Sequence, residues 1–91
     1  MSIVIKFSQR AMDSFESLPK EIQKKAHRAI NLLEEGNERA IHSSVLKGGR
    51  KLYSGKINQN FRVIYSKNNN EIVIVDFIKI DGISKIMRSE A

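Results

Sequence analysis

Apolar and polar residues alternate at the start of the chain and then change to a helical spacing. Over residues 3–7, every second residue is Ile or Phe. A period of two predicts a strand, because successive side chains of a strand point to opposite faces. Ser8 follows at a position suited to a helix N-cap, since its hydroxyl can accept from a free backbone N–H. The spacing after it predicts a short helix over residues 8–17.

A longer amphipathic helix is predicted to follow Leu18. Pro19 suits the first helical position, where its missing N–H costs nothing, and Gly36 suits the left-handed residue that ends a helix. Between them the apolar residues recur at i, i+4, i+7, i+8 and i+11, the stripe that faces a core: Ile22, Ala26, Ala29, Ile30 and Leu33. The opposite face carries Lys20, Lys24 and Arg28 and is expected to lie in solvent.

The second half of the chain returns to a period of two. A polar connection is predicted over residues 37–50. Residues 51–57 and 60–66 are predicted as a hairpin around Asn58-Gln59, a pair that tolerates turn conformations.

A third strand is predicted over residues 71–79, after a tight turn at Asn68-Asn69-Asn70. The residues before Asp76 are apolar on both faces, which is typical of a central strand. Residues 83–88 are predicted to form a final helical turn.

These elements predict an α+β fold with the order β-α-α-β-β-β. Strands linked by hairpins must be antiparallel, so an antiparallel sheet is expected, with the two N-terminal helices packed on one of its faces. The other face is then free to carry chemistry. A length of 91 residues fits one domain spanning 1–91.

The charge is unevenly distributed along the chain. Residues 1–46 contain seven basic and six acidic residues, a net +1, whereas residues 47–91 contain nine basic and four acidic residues, a net +5. A positive field of this kind attracts phosphate backbones, anionic surfaces or an acidic partner.

Several function classes are not expected from the composition. There is no cysteine, and His27 and His42 have no acidic neighbours spaced as metal ligands, so neither a metal nor another cofactor is expected. The apolar run at the N-terminus is too short for a signal peptide or a membrane span. We therefore expect a cytoplasmic protein without a membrane partner.

Four segments in order resemble the landmarks of one family. They are Leu-Pro-Lys-Glu-Ile-Gln-Lys-Lys-Ala at 18–26, Leu-Leu-Glu-Glu at 32–35, Leu-Lys-Gly at 46–48 and Phe-Arg-Val-Ile-Tyr at 61–65. With the chain length, this set resembles the RelE/ParE superfamily of toxins from type II toxin–antitoxin pairs, over about residues 3–88.

The resemblance implies a RelE-like fold and a toxin that arrests growth. RelE-like members cut messenger RNA in the ribosomal A site without a metal, and ParE-like members poison DNA gyrase. The implied partners are a cognate antitoxin, the ribosome and its mRNA, and operator DNA only through the antitoxin complex. Because both branches share the fold, the fold does not choose between them.

Metal-free RNA cleavage needs a base, an acid and cations on the phosphorane. Arg62 matches the strand arginine of the family, and its guanidinium can grip a phosphate with two parallel donors. Lys56 is expected opposite Arg62 across the hairpin. The catalytic candidates are Arg62, Lys79 and Lys85, and the RNA-binding candidates are Lys47, Lys51, Lys56 and Arg88.

The C-terminal stretch departs from the RelE-like pattern. Ile80 and Ser84 stand where a histidine and a tyrosine are expected. Two alternatives to the nuclease therefore stay open: a ParE-like gyrase inhibitor, and a degenerate member that retains only antitoxin binding and autoregulation. Tyr53 and Tyr65 are open as well, either to stack an RNA base or to pack the sheet against the helices.

Overall fold

The computed structural model describes residues 3–46 and 51–80, which form two α-helices on one sheet. In chain order the elements are β1 (Val4–Phe7), α1 (Gln9–Ser17), α2 (Lys20–Glu34), a 3₁₀ helix (Glu38–Ile41), β2 (Ser44–Leu46), β3 (Leu52–Lys56), β4 (Phe61–Asn68) and β5 (Glu71–Lys79). The predicted α+β class is confirmed.

The sheet has five strands in the order β1-β5-β4-β3-β2. Strands β2 to β5 are antiparallel to their neighbours, as predicted, but β1 pairs with β5 in parallel. The expectation of a purely antiparallel sheet is therefore wrong at this pair. The physical reason is the connection: a short hairpin forces antiparallel pairing, whereas the path through both helices permits a parallel partner.

The predicted polar connection over residues 37–50 contains two elements that the sequence pattern missed. One is the 3₁₀ helix, whose Ile41 is only 2% exposed. The other is the edge strand β2, which pairs with β3 through Ser44, Val45 and Leu46. Three residues are too few to show a period of two, and Val45 is 63% exposed, so no apolar alternation marks this strand.

The predicted helix boundaries are close to those observed. The Ser8 hydroxyl accepts from the Ala11 N–H at 3.0 Å and donates to the Val75 carbonyl at 2.9 Å, so this N-cap also joins α1 to β5. Pro19 is one position earlier than predicted, at the N-cap of α2. Gly36 has φ +78°, which confirms the left-handed residue after α2.

The helices cover one face of the sheet. Phe15 of α1 packs against Phe77 of β5 with ring centroids 5.6 Å apart. The buried apolar core consists of Ala11, Leu18, Ile22, Ala26, Ala29, Ile30, Leu33, Ile41, Val63, Tyr65, Ile72, Ile74 and Phe77. All five residues of the predicted stripe of α2 belong to it, so the stripe faces the core as expected.

Both predicted turns of the second half are present. Lys56 pairs with Arg62 across the first hairpin, and Asn69 adopts φ 56° in the second. The helical turn predicted over residues 83–88 lies outside the described residues. Within residues 3–46 and 51–80, no helix has the length and apolar character needed to cross a membrane.

Gly55 is expected to tolerate no larger residue at its place in β3. A Cβ there would lie 2.5 Å from Ile41 Cδ1 and 3.2 Å from Val63 Cγ1, and both neighbours are buried. We expect Gly55→Ala to lower the free energy of unfolding by about 1–3 kcal/mol, measured by urea denaturation.

The partner substitution Ile41→Val removes the clashing Cδ1 and is the control. On its own it should cost roughly 0.5–1.5 kcal/mol. The double variant should lose less free energy of unfolding than the sum of the losses in the two single variants. Full additivity would show that the contact with Ile41 is not the cause.

Candidate functional site

The alternation of side chains along β3 and β4 separates two faces of the sheet. Val63 belongs to the core under the helices, and Gly55, its partner in the register, faces Ile41. The neighbouring pair, Lys56 and Arg62, must therefore point to the opposite face. The structure thus brings together two of the predicted site residues on the face that the helices leave free.

The Arg62 guanidinium is anchored by the hairpin turn. Its Nη1 donates to the Asn58 carbonyl at 2.7 Å and to the Phe61 carbonyl at 3.0 Å. The turn is itself stiffened by the Asn58 side chain, whose Oδ1 accepts from the N–H groups of Asn60 at 2.8 Å and Phe61 at 2.9 Å. Arg62 is therefore held by main-chain atoms of a rigid turn.

The remaining donors of Arg62 are free for a ligand within the part of the chain that the structure describes. A guanidinium has five N–H donors, and both bonds described above use Nη1. No ion pair involves Arg62 in this part of the chain, where the pairs are Lys6–Glu71, Arg10–Asp76 and Lys67–Glu38. The edge formed by Nε and Nη2 has the fork geometry that binds two phosphate oxygens.

Lys79 does not join Arg62. It pairs with Phe61, whose side chain packs against the core, and its Nζ lies 5.9 Å from the centre of the Phe61 ring. Lys79 therefore lies on the strand next to that of Arg62 but on the other face of the sheet.

A β-bulge between Ile64 and Tyr65 explains the position of Lys79. Tyr65 pairs with Ile74 but Ile64 pairs with Asp76, so Val75 is an extra residue in β5. A shift of one residue moves every following side chain to the other face. If Val75 instead paired with Ile64, Lys79 would be opposite Asn60 and would share the face of Arg62.

The other predicted cations are dispersed or undescribed. Lys51 is exposed and precedes β3, five residues from Lys56, which corresponds to about 16 Å along a strand. Lys47, Lys85 and Arg88 lie outside the described residues, as does Ser84. Ile80 is described and half-buried, and its N–H donates to the Asn60 carbonyl at 2.8 Å.

The two tyrosines pack inside the fold. Tyr65 is fully buried, and the Tyr53 ring stacks on it with centroids 5.5 Å apart. Lys67 Nζ lies 4.5 Å from the centre of the Tyr53 ring. The packing alternative from the sequence is therefore the observed one.

A polar network joins the 3₁₀ helix to β4. Glu38 accepts from the Tyr65 hydroxyl at 2.6 Å and from Lys67 Nζ at 2.8 Å. Ser43 contributes its hydroxyl, which contacts the Tyr65 hydroxyl and donates to Glu38 at 3.4 Å. The network gives the buried Tyr65 hydroxyl its partners, as buried polar groups require.

The network shifts the pKa of both acidic groups. Burial alone would raise the pKa of Glu38, but the hydrogen bonds from Lys67 and Tyr65, with the charge of Lys67, bring it below the ordinary value of 4.5. Burial, and then the hydrogen bond to Glu38, raises the pKa of Tyr65 far above its ordinary 10.0. Both shifts favour a charged Glu38 beside a neutral tyrosine.

The fold brings two cations near Lys56 that were not predicted as site residues: Lys25, and Arg28, which was expected only to lie in solvent. Lys25 and Arg28 of α2 line a groove with Lys56 and the turn after β3. Their i, i+3 spacing shows that they share one side of α2, but the sequence does not say which strand that side meets. Within residues 3–46 and 51–80 no three His, Asp or Glu side chains are grouped to hold a metal ion.

The chain matches one family of known proteins. Residues 20–79 match the sequence model of the ParE-like toxin domain. No curated protein sequence matches the chain.

Solved structures share the fold. The archaeal RelE–RelB complex from Pyrococcus horikoshii contains a chain with 25% identity and a TM-score of 0.71, covering 87% of this chain and 96% of that one. The YoeB–YefM complex from Staphylococcus aureus contains a chain with 22% identity and a TM-score of 0.69, covering 84% of this chain and 94% of that one. The DinJ–YafQ toxin–antitoxin complex from E. coli contains a chain with 12% identity and a TM-score of 0.76, covering 90% of this chain and 97% of that one.

Glu38→Gln is expected to remove a pH-dependent part of the stability. The lowered pKa means that the carboxylate stabilises the fold above pH 4.5 and that this contribution is lost as the pH falls through the lower folded-state pKa. At pH 7 the free energy of unfolding of the variant should be lower by about 1 kcal/mol, which corresponds to a Tm lower by roughly 4–8 °C. The difference should shrink as the pH falls below 4.5.

Thermal unfolding followed by circular dichroism between pH 3 and pH 8 measures this difference. Glu16→Gln, on an exposed residue of α1, is the matched control and should give no pH-dependent gap. A gap for Glu38→Gln that stays constant with pH would show that the charge of Glu38 contributes nothing.

Proposed function

Because the chain belongs to the ParE-like toxin domain family of the RelE/ParE superfamily, and is thus the toxin of a toxin–antitoxin system, we propose that it stops translation by cutting messenger RNA in the ribosome without a metal ion. One observation carries this proposal: Arg62 is anchored through Nη1 to main-chain carbonyls. The opposite edge of the guanidinium, formed by Nε and Nη2, is then held in position to bind two phosphate oxygens.

In this type of cleavage the ribose 2′-hydroxyl loses its proton to a base, and its oxygen attacks the adjacent phosphorus. The bond from phosphorus to the 5′-oxygen of the next nucleotide breaks, and that oxygen takes a proton from an acid. The products are a 2′,3′-cyclic phosphate and a 5′-hydroxyl. Negative charge builds up on the nonbridging oxygens, where cationic donors stabilise it.

Arg62 is proposed to bind these oxygens, with Lys56 beside it as a phosphate contact. Because Arg62 is already held in place, little side-chain entropy is lost when it binds the transition state. Lys79 faces the other side of the sheet and has no part in this arrangement.

Four further cations complete the proposal: three lie in the undescribed segments, and Lys51 precedes β3. Lys85 is proposed as the acid or base. Lys47 and Arg88 remain proposed RNA contacts, and Lys51, at the far end of β3, would bind a different nucleotide.

A gyrase inhibitor of the ParE type is the second candidate. It is favoured by Ile80, which follows β5 directly where the RelE-like pattern has a histidine. An isoleucine can neither give nor take a proton, and losing one general acid or base costs about 10²–10⁴ in rate.

The family also implies an antitoxin partner. In the solved relatives, RelE is bound to RelB, YoeB to YefM and YafQ to DinJ. Three large apolar residues are exposed at or next to the edge strand β1: Val4 at 52%, Phe7 at 41% and Met12 at 50%. We propose that the antitoxin covers this edge, because exposed apolar residues beside unpaired strand atoms favour an added segment.

Arg62→Ala is expected to abolish mRNA cleavage. Removing a preorganised cationic donor should reduce the number of new mRNA 5′ ends by about 10²–10³-fold. Both the mRNA 5′ ends and gyrase-linked DNA breaks are mapped after induced expression of the variant. Arg62→Lys keeps the charge but not the fork, and should recover little cleavage.

Arg39→Ala is the matched control, since Arg39 is an exposed arginine of the 3₁₀ helix. Thermal unfolding must show that each variant folds. Growth arrest without new mRNA ends, accompanied by DNA breaks, would replace the nuclease with the gyrase inhibitor. Undiminished cleavage by Arg62→Ala would remove Arg62 from the mechanism.

Val4→Lys and Val45→Lys test the antitoxin surface at the two edges of the sheet. Coexpression with the antitoxin, sought as a short acidic reading frame next to the toxin gene, should restore growth. Val4→Lys should weaken the purified complex at least about tenfold, since it places an unpaired charge at a buried apolar contact. Val45→Lys, at the β2 edge, should leave the affinity unchanged; the reverse result would place the antitoxin at β2.

A further inference from the structure

A groove lies between α2 and the β3–β4 hairpin, at the end of the sheet where β3 passes into the turn. It has a volume of about 530 Å³ and is lined by Lys25, Arg28, Ala29, Leu32, Ala40, Ile41, Lys56, Ile57, Asn58, Gln59 and Asn60. Lys25 and Arg28 lie in the first half of the chain and Lys56 in the second, and only the packing of α2 on the sheet brings them together.

Three cations border this groove without compensation from the described residues. Lys25, Arg28 and Lys56 are exposed, and none belongs to an ion pair among those formed within residues 3–46 and 51–80. No acidic residue is part of the lining described here. Like charges around a concave surface concentrate the field and draw an anion into it.

The side chains that a ligand would meet are polar. Gln59 and Asn60 are exposed next to the cations, whereas Ile41 is buried and Leu32 and Ile57 are half-buried. An acidic helix or strand would need apolar anchors in such a groove. Cations with amides instead suit a sugar–phosphate backbone, which offers charged oxygens and hydroxyls.

The groove is continuous with the proposed cleavage site through one residue. Asn58 lines the groove, and its carbonyl accepts from Arg62 Nη1 at 2.7 Å. We propose that the groove binds the phosphate backbone of RNA and that one strand, or one folded RNA, contacts both the groove and Arg62. This inference rests on the proposed function, because it takes RNA as the target.

Lys25→Gln/Arg28→Gln tests the groove, and Lys20→Gln/Lys24→Gln is the matched control. Both double variants remove two positive charges from exposed residues of α2, but only the first pair lines the groove. Thermal unfolding must show that both fold. The probes are a fluorescein-labelled 20-nucleotide RNA with 2′-O-methyl groups, which cannot be cleaved, and purified ribosomes without mRNA.

The groove variant should bind RNA with a weaker salt dependence. Each lost contact to a single strand lowers the slope of log K against log[salt] by about 0.7, so two contacts lower it by about 1.4, or roughly 25-fold in affinity at 0.1 M salt relative to 1 M. The control should keep the wild-type slope. A loss with the short RNA assigns the groove to message, and a loss with ribosomes alone assigns it to ribosomal RNA.

Equal binding by both variants and wild type would overturn the inference, and so would equal losses in both variants. If the groove variant instead loses binding to a polyglutamate peptide and keeps RNA binding, the groove is a protein site and the inference is also overturned. Because the RNA probe cannot be cut, the result is independent of the nuclease test. Cleavage by the wild type with unchanged binding by the groove variant would remove the groove alone.

Discussion

The two hydrogen bonds from Arg62 Nη1 to main-chain carbonyls are the interaction on which the site depends. A free arginine samples many rotamers, and holding one costs up to about 2 kcal/mol of side-chain entropy. Here the fold has met that cost before a ligand arrives, because Asn58 and Phe61 present their carbonyls from a stiffened turn. The guanidinium is therefore positioned by backbone geometry and not by a competing carboxylate, so its charge remains available to an anion.

The cations around the β3–β4 hairpin lie on two surfaces. The open face holds Arg62 and Lys56 as neighbours in the register, whereas the side toward α2 presents Lys25 and Arg28. Lys56 contributes to both because it stands at the end of β3, where the sheet gives way to the turn. Under the proposed function, a polyanion longer than one nucleotide would contact cations on both sides of the β3–β4 hairpin.

Features set by neighbours in the sequence could be predicted, and features set by distant pairing could not. The N-cap at Ser8 and the turn at Asn69 follow from local backbone preferences, and the pairing of Lys56 with Arg62 follows from the length of one turn. The parallel pairing of β1 depends on where two helices deliver the chain. The face of Lys79 depends on a single extra residue, Val75, which carries no signature in the apolar run of β5. For the same reason the sequence predicted that Lys56 is opposite Arg62 but did not predict the face on which Lys79 lies.

Surface hairpins usually accept inserted or deleted residues, because their loops make few contacts. The turn between β3 and β4 is an exception, since its carbonyls hold Arg62 and its Asn58 side chain closes the bend. A residue added there would leave the core and the strand pairing intact but detach the guanidinium from its support. Natural variation in loop length should accordingly concentrate elsewhere on the molecule, and a relative with a longer hairpin must position its cation by other means.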